Sequence, residues 1–405
     1  MAARSRDSQR VLALDSSRGV AILLVMLSHF AMRFATESGQ PNALRWPVIV
    51  GMIASPTFVL LSGAVYGTLS APGRMNNDRL RNILVDRGIF LLLVAHALLA
   101  GSMLLRGVPG AWHRLYITDS IAPALMFGPA IAARTRPRVR LLIAAVLLMA
   151  SWVILSMHSP TVRGSGGIVR ELLFGTLLHG GESWWGFHWP LAEWFGIYLV
   201  GTVVGQRTAA LQRSARAGAA SEWLLSRGMM AATAGAALSL VWTLSTYAGL
   251  DGITRSPALQ HMLSIESKFP PSPAYFLWFG GIGLCIIALM YRPAGNRILD
   301  SARRLVHPLG RSSLMLYIVS DYLFHVPFVI WKPHDTRMWV PTFIALLLPL
   351  YVTSVVWTQH EGNRVLTVGY PRTRFWQAVL AYARRTRRAI AGVSPWAGSD
   401  PTTVP

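Results

Sequence analysis

The chain has one cysteine, Cys285, in 405 residues. No disulfide can form within it, and no cysteine-built metal site can exist. Lysine is nearly as scarce. Lys268 and Lys332 stand alone, and arginine supplies the rest of the 38 basic residues. Only 17 residues are acidic, and charged residues of both signs make up 14% of the chain. The alternating ten-residue segments of a membrane β-barrel are also missing.

What the chain does have is apolar length. Hydrophobic residues make up 53%, and several runs reach the ~20 residues needed to span a bilayer as a helix. The expected fold class is all-α: a polytopic membrane helical bundle with about ten transmembrane helices. The spans fall near 11–31, 47–69, 83–105, 116–133, 141–158, 190–206, 228–249, 272–291, 310–331 and 338–358. Residues 1–10 then form an N-terminal tail, 11–358 the transmembrane domain and 359–405 a basic C-terminal tail. The last dozen or so residues of that tail read as disordered. The first span has no small-residue cleavage site after it, so it reads as a retained helix and not a signal peptide.

The net charge of +21 invites a nucleic-acid reading, but its distribution argues otherwise. With both termini placed in the cytoplasm, 27 basic residues fall in the tails and even-numbered loops. The odd-numbered loops carry 10, two in each. Arg18 alone is counted to a span, with Arg87 and Arg311 counted to the loops they adjoin. This is the positive-inside pattern, and it supports ten spans, cytoplasmic termini and a multi-pass protein of the inner or plasma membrane. The basic face meets anionic membrane lipids, and no nucleic acid is needed to explain it. A homodimer stays open.

The first span, Leu14–Phe30, carries buried ionisable groups along one side. Asp15 and Arg18 are three apart and can pair on a helix face. Arg18 and His29 are eleven apart, about three turns and roughly 16 Å, so they point the same way. Charge inside a bilayer survives where it faces a cavity or works.

Further candidates lie along the chain. Ser62-Gly63 lets a helix or a ligand approach the second span closely. His96 in the third span reads as hydrogen-bonded core before it reads as a catalyst. The longest outer loop, 159–190, includes Ile168–Leu178, too short to span and read as interfacial. It continues into an aromatic stretch in which Glu182, His188 and Trp189 suit sugar stacking and hydroxyl binding, or a headgroup belt. Lys268, before Pro270-Pro271, suits an anionic group or an interfacial anchor. Asp321 and His325 are four apart on one face of the ninth span.

The motifs L-D-S-S-R-G…S-H-F (with Arg18, ten residues, then His29), T-F-V-L-L-S-G, K-F-P-P-S and L-G-R-S-S-L-M-L-Y occur in this order. Together they resemble the acyltransferase-3 clan of integral membrane acyltransferases. That clan includes the heparan-α-glucosaminide N-acetyltransferase-like and glucan-succinylating branches. In one departure, Ser320 follows Tyr317-Ile318-Val319 where relatives often have a histidine. The resemblance implies transfer of an acyl group, in the first instance acetyl, from cytoplasmic acyl-CoA. The acceptor would be a hydroxyl or amine of an extracytoplasmic glycan or lipid-linked sugar. His29 would be the general base, with Arg18 held by Asp15. Arg18, Arg311 and Ser62 would bind the donor. Glu182, His188, Trp189, Lys268 and Asp321 would bind the acceptor. No metal is implied. The competing reading is a transporter or exporter of a glycan or lipid precursor. It explains intramembrane charge equally well, but no internal repeat or matched pair of broken helices supports it.

Overall fold

In hydrocarbon every backbone N–H and C=O must be satisfied within the segment, so long apolar runs become helices. A computed structural model describes the chain except residues 1, 41, 72–74, 158–171, 175–188, 214–217, 251, 253–255, 269, 330, 334 and 393–405. Among the described residues there are helices and no strand. The first is α1, Ala2–Glu37. The second expected span is two helices, α2 Arg45–Gly51 and α3 Ala54–Leu69. The third is α4 Asn77–Phe90, a π-helical turn Leu91–Ala95, then α5 His96–Leu105. There follow α6 Ile117–Arg134, α7 Pro137–Met157, α8 Leu191–Arg213, α9 Ala219–Tyr247, the short α10 Pro257–Leu263 and α11 Pro273–Met290. The chain continues with α12 Arg297–Arg311, α13 Ser313–His325, α14 Trp339–Gln359 and α15 Arg374–Gly392.

Among the described residues, seven helical segments are long and apolar enough to cross a bilayer: Leu12–Glu37, Arg45–Leu69, Asn77–Leu105, Pro137–Ile154, Ala219–Tyr247, Pro273–Met290 and Thr336–Gln359. The three remaining expected spans coincide with α6, α8 and α13, which lie outside that set; α13 has only 13 residues. Leu93, Leu142 and Leu348 are each at least 60% exposed on the outer surface. Apolar exposure on that scale suits a lipid surround and not water. This is a multi-pass membrane protein built as a helical bundle. The expected helix at 168–178 and the disordered end of the tail lie outside the described residues, apart from a helical turn at 172–174.

Two close helix contacts set the architecture. Gly63 and Gly67 of α3 face Gly201 and Gly205 of α8. A Cβ at Gly63 would sit 2.1 Å from the Tyr198 carbonyl, and one at Gly205 would sit 2.0 Å from that of Ala64. Small residues every fourth position let the two backbones touch, as membrane helices often do. The second contact joins α1 to α12. A Cβ at Gly19 would lie 1.9 Å from the Val306 carbonyl, and one at Gly310 would lie 1.7 Å from that of Asp15.

The segment carrying α12 reads as loop from hydropathy alone, yet it folds as a helix. Asn296 caps it by accepting from Leu299 N at 3.1 Å. Arg303 is buried because Asp300 and the Leu289 and Arg292 carbonyls take its guanidinium. Ile298 and Leu305 stay exposed. The helix is amphipathic, a pattern suited to a membrane surface and not to a span.

Candidate active site

The α1–α12 contact places Arg18 beside the end of α12, where Arg311 sits. Both line a cavity of about 410 Å³ bounded by α1, α3, α4, α6, α13 and the segment after α14. Arg87 and Asn363 line it as well. Arg18 and Arg87 are close enough to act on each other by charge. Among the described residues no carboxylate lies within ion-pair distance of Arg18, Arg87 or Arg311. Three guanidiniums without a paired carboxylate make an anion-binding end to the cavity.

Further along the same wall come Ile22, Val25, Phe58, Leu125 and Leu314, an apolar middle. The wall then reaches His29, Ser55, Tyr317, Trp189 and Lys268. Arg18 and His29 thus open into one space, about three helical turns apart. The His29 ring lies 6.2 Å from that of Tyr317, tilted by 55°. Among the described residues nothing hydrogen-bonds its two nitrogens, so both stay available to whatever enters the cavity. Asp321, His325, Lys268 and Arg106 act on it by charge. Ser62 also lines the cavity while its hydroxyl donates to the Phe58 carbonyl at 2.8 Å. Gly63, next to it, faces α8. The pair therefore divides its work between ligand space and packing.

Lys268 sits 5.3 Å above the Trp189 ring, a cation–π distance. Burial pulls its pKa from 10.5 down to about 8. The Pro271-Ser272 end of the K-F-P-P-S stretch is fixed by hydrogen bonds. Trp152 Nε1 donates to the Pro271 carbonyl at 3.2 Å. Ser272 caps α11 by accepting from Tyr275 N at 2.9 Å and donates to the Ser264 carbonyl at 2.7 Å.

The structure places the other candidates variously. Asp15 does not pair with Arg18. Its carboxylate lies 3.7 Å from His307 Nε2 of α12, although its charge still acts on Arg18. Tight packing against α12 supplies a nearer partner than the helix's own face. Burial holds His307 below the ordinary histidine range, against the pull of Asp15. Asp321 is not part of the cavity wall. Its Oδ1 lies 3.4 Å from His325 Nδ1, its backbone carbonyl lies 2.7 Å from the same nitrogen, and its Oδ2 is buried with no hydrogen-bond partner. Glu182 and His188 lie outside the described residues. His96 is a hydrogen-bonded core residue: Nδ1 lies 3.0 Å from Asp119 Oδ2 and Nε2 lies 3.2 Å from the Trp112 carbonyl. Arg87 and Asn363 escaped the sequence reading, the first counted only as a loop charge and the second as tail.

The family model described as an acyltransferase domain, acyltransferase-3, matches residues 11–358. The chain belongs to the acyltransferase-3 family. No curated protein matches. Family membership makes the chain a membrane acyltransferase, and the transporter reading loses its ground. The match takes in Arg18, His29, Ser62, Lys268 and Arg311, so the cavity lies almost wholly within the acyltransferase-3 domain. Asn363 and Leu366 line the cavity from beyond the match.

Proposed function

We propose that this acyltransferase takes an acyl group, in the first instance acetyl, from acyl-CoA at the arginine end of the cavity. It passes the group to a hydroxyl or amine of a glycan or lipid-linked sugar at the His29 end. The arginine end faces the cytoplasm and the His29 end the outer side of the inner or plasma membrane, as the arginine distribution favours. CoA phosphates meet Arg18, Arg87 and Arg311. The pantetheine arm runs along the apolar middle, and the thioester lies next to His29. His29 Nδ1 or Nε2 removes the acceptor proton as its oxygen or nitrogen attacks the carbonyl. The thiolate leaves and takes up a proton. Trp189 and Lys268 hold the acceptor.

The observation that carries this reading is that Arg18 and His29 share one cavity. A general base usually contributes 10²–10⁴-fold, about 3–5 kcal/mol. His29→Ala is therefore expected to fold normally by size-exclusion chromatography and to lose at least a hundredfold in thioester turnover. Near-normal turnover by that variant removes His29 from the chemistry.

A further inference from the structure

The chain beyond Gln359 starts as a wall of the cavity and not as a tail. Asn363 is tied to three helices at once. Trp357 Nε1 of α14 donates to its Oδ1 at 3.1 Å, its Nδ2 donates to the Arg311 carbonyl of α12 at 2.6 Å, and Arg87 Nη2 of α4 donates to its own carbonyl at 2.9 Å. Leu366, three residues on, is buried and lines the cavity with it. The next turn is held by one carboxylate. Buried Asp86 accepts from Thr367 Oγ1, from Val368 N at 3.2 Å and from Tyr370 N at 2.8 Å. Trp376 Nε1 closes the far side on the Val368 carbonyl at 3.3 Å.

This arrangement has an electrostatic consequence. Asp86 directly precedes Arg87, yet its oxygens are committed to the strap. Arg87 in turn is oriented by a neutral carbonyl. Asp86 still acts on Arg87 by charge, but it does not bond the guanidinium, so the strap fixes Arg87 at the cavity end without a direct ion pair. A loop that served only to end α14 has no need of either contact.

We propose that residues 362–370 form the donor-side wall of the site, with Asn363 and Leu366 contacting a phosphorylated acyl donor and Asp86 as the positioning residue that holds them there. The segment lies outside the matched acyltransferase domain, and the inference rests on the donor reading given above.

The test uses the full-length protein in lipid nanodiscs and coenzyme A as the probe. Titration calorimetry is expected to show coenzyme A binding to wild type and to His29→Ala alike. Thr367→Val keeps both amide donors to Asp86 and is expected to weaken binding at least fivefold. Asp86→Asn is expected to weaken it at least tenfold. Asn363→Asp, the same size but anionic, is expected to weaken it further than Asn363→Ala, with the excess shrinking at high salt. In turnover, Thr367→Val raises KM for the donor while kcat stays within threefold. Hydrogen exchange in 362–370 slows when coenzyme A is added. If wild type binds and both Asn363 variants and Thr367→Val bind equally well, the strap is no part of the site and the proposal fails. If wild type itself does not bind coenzyme A, the donor reading fails first. The two failures are distinguished by the wild-type titration alone.

Discussion

At the residue scale, Lys268 carries the sharpest prediction. Its ammonium loses its proton near pH 8, because burial disfavours the charged form. Below that pH it is a cation above Trp189, and above it a neutral amine. If its charge holds the acceptor, activity falls as pH rises through about 8. Arginine stays protonated across this range, so Lys268→Arg is expected to carry the alkaline limb upward by a unit or more in a pH–rate profile. A limb that does not move separates Lys268 from acceptor binding. The residue scale also shows what could be read in the chain. The shared face of Arg18 and His29 was legible, because helix period alone sets it. Asp15 and Arg18 do act on each other by charge, but three-residue spacing could not show that a tertiary partner, His307, lies against the carboxylate. Arg87 was hidden by its own usefulness: it fits the inside-positive count so well that nothing marked it as a ligand-facing side chain.

At the element scale, the helices existed in the sequence and their breaks did not. Hydropathy gives apolar length. It cannot show that the second and third spans are each interrupted, or that Ser312 separates α12 from α13. It is equally blind to an amphipathic helix such as α12, where average hydropathy is low and the apolar residues sit on one face. The glycine contacts are the element-scale determinants of the site. A side chain at Gly205 has no space, with the Ala64 carbonyl 2.0 Å from its Cβ position. Gly205→Leu is expected to part α3 from α8 and abolish a monodisperse peak in fluorescence-detected chromatography. Ser62→Ala, on the cavity side of α3, is expected to keep that peak. Equal behaviour of the two variants contradicts the division of α3 into a packing face and a ligand face.

At the scale of the whole molecule, topology is the open prediction. Among the described residues seven segments satisfy length and composition for crossing, and arginine alternation asks for ten. Ten crossings put both ends of the chain on one side. Fluorescent-protein fusions at either terminus are expected to glow, and phosphatase fusions at the same points to stay inactive. An active phosphatase at one end alone requires an odd number of crossings. The cavity was legible in outline, from Arg18, His29, Ser62, Lys268 and Arg311. Its far wall was not, because the strap residues Asn363 and Leu366 carry no membrane signal and fall past the last apolar run.

The apolar middle of the cavity has a bioenergetic meaning. A cavity that joined both faces of an energised membrane would risk short-circuiting it. The collar of Ile22, Val25, Phe58, Leu125 and Leu314 offers water and ions few polar partners, since the Ser62 hydroxyl is spent on the Phe58 carbonyl, so it is expected to resist their passage. Proteoliposomes bearing the protein are expected to hold an imposed pH gradient as long as empty vesicles do. A Val25→Asp variant is expected to dissipate it.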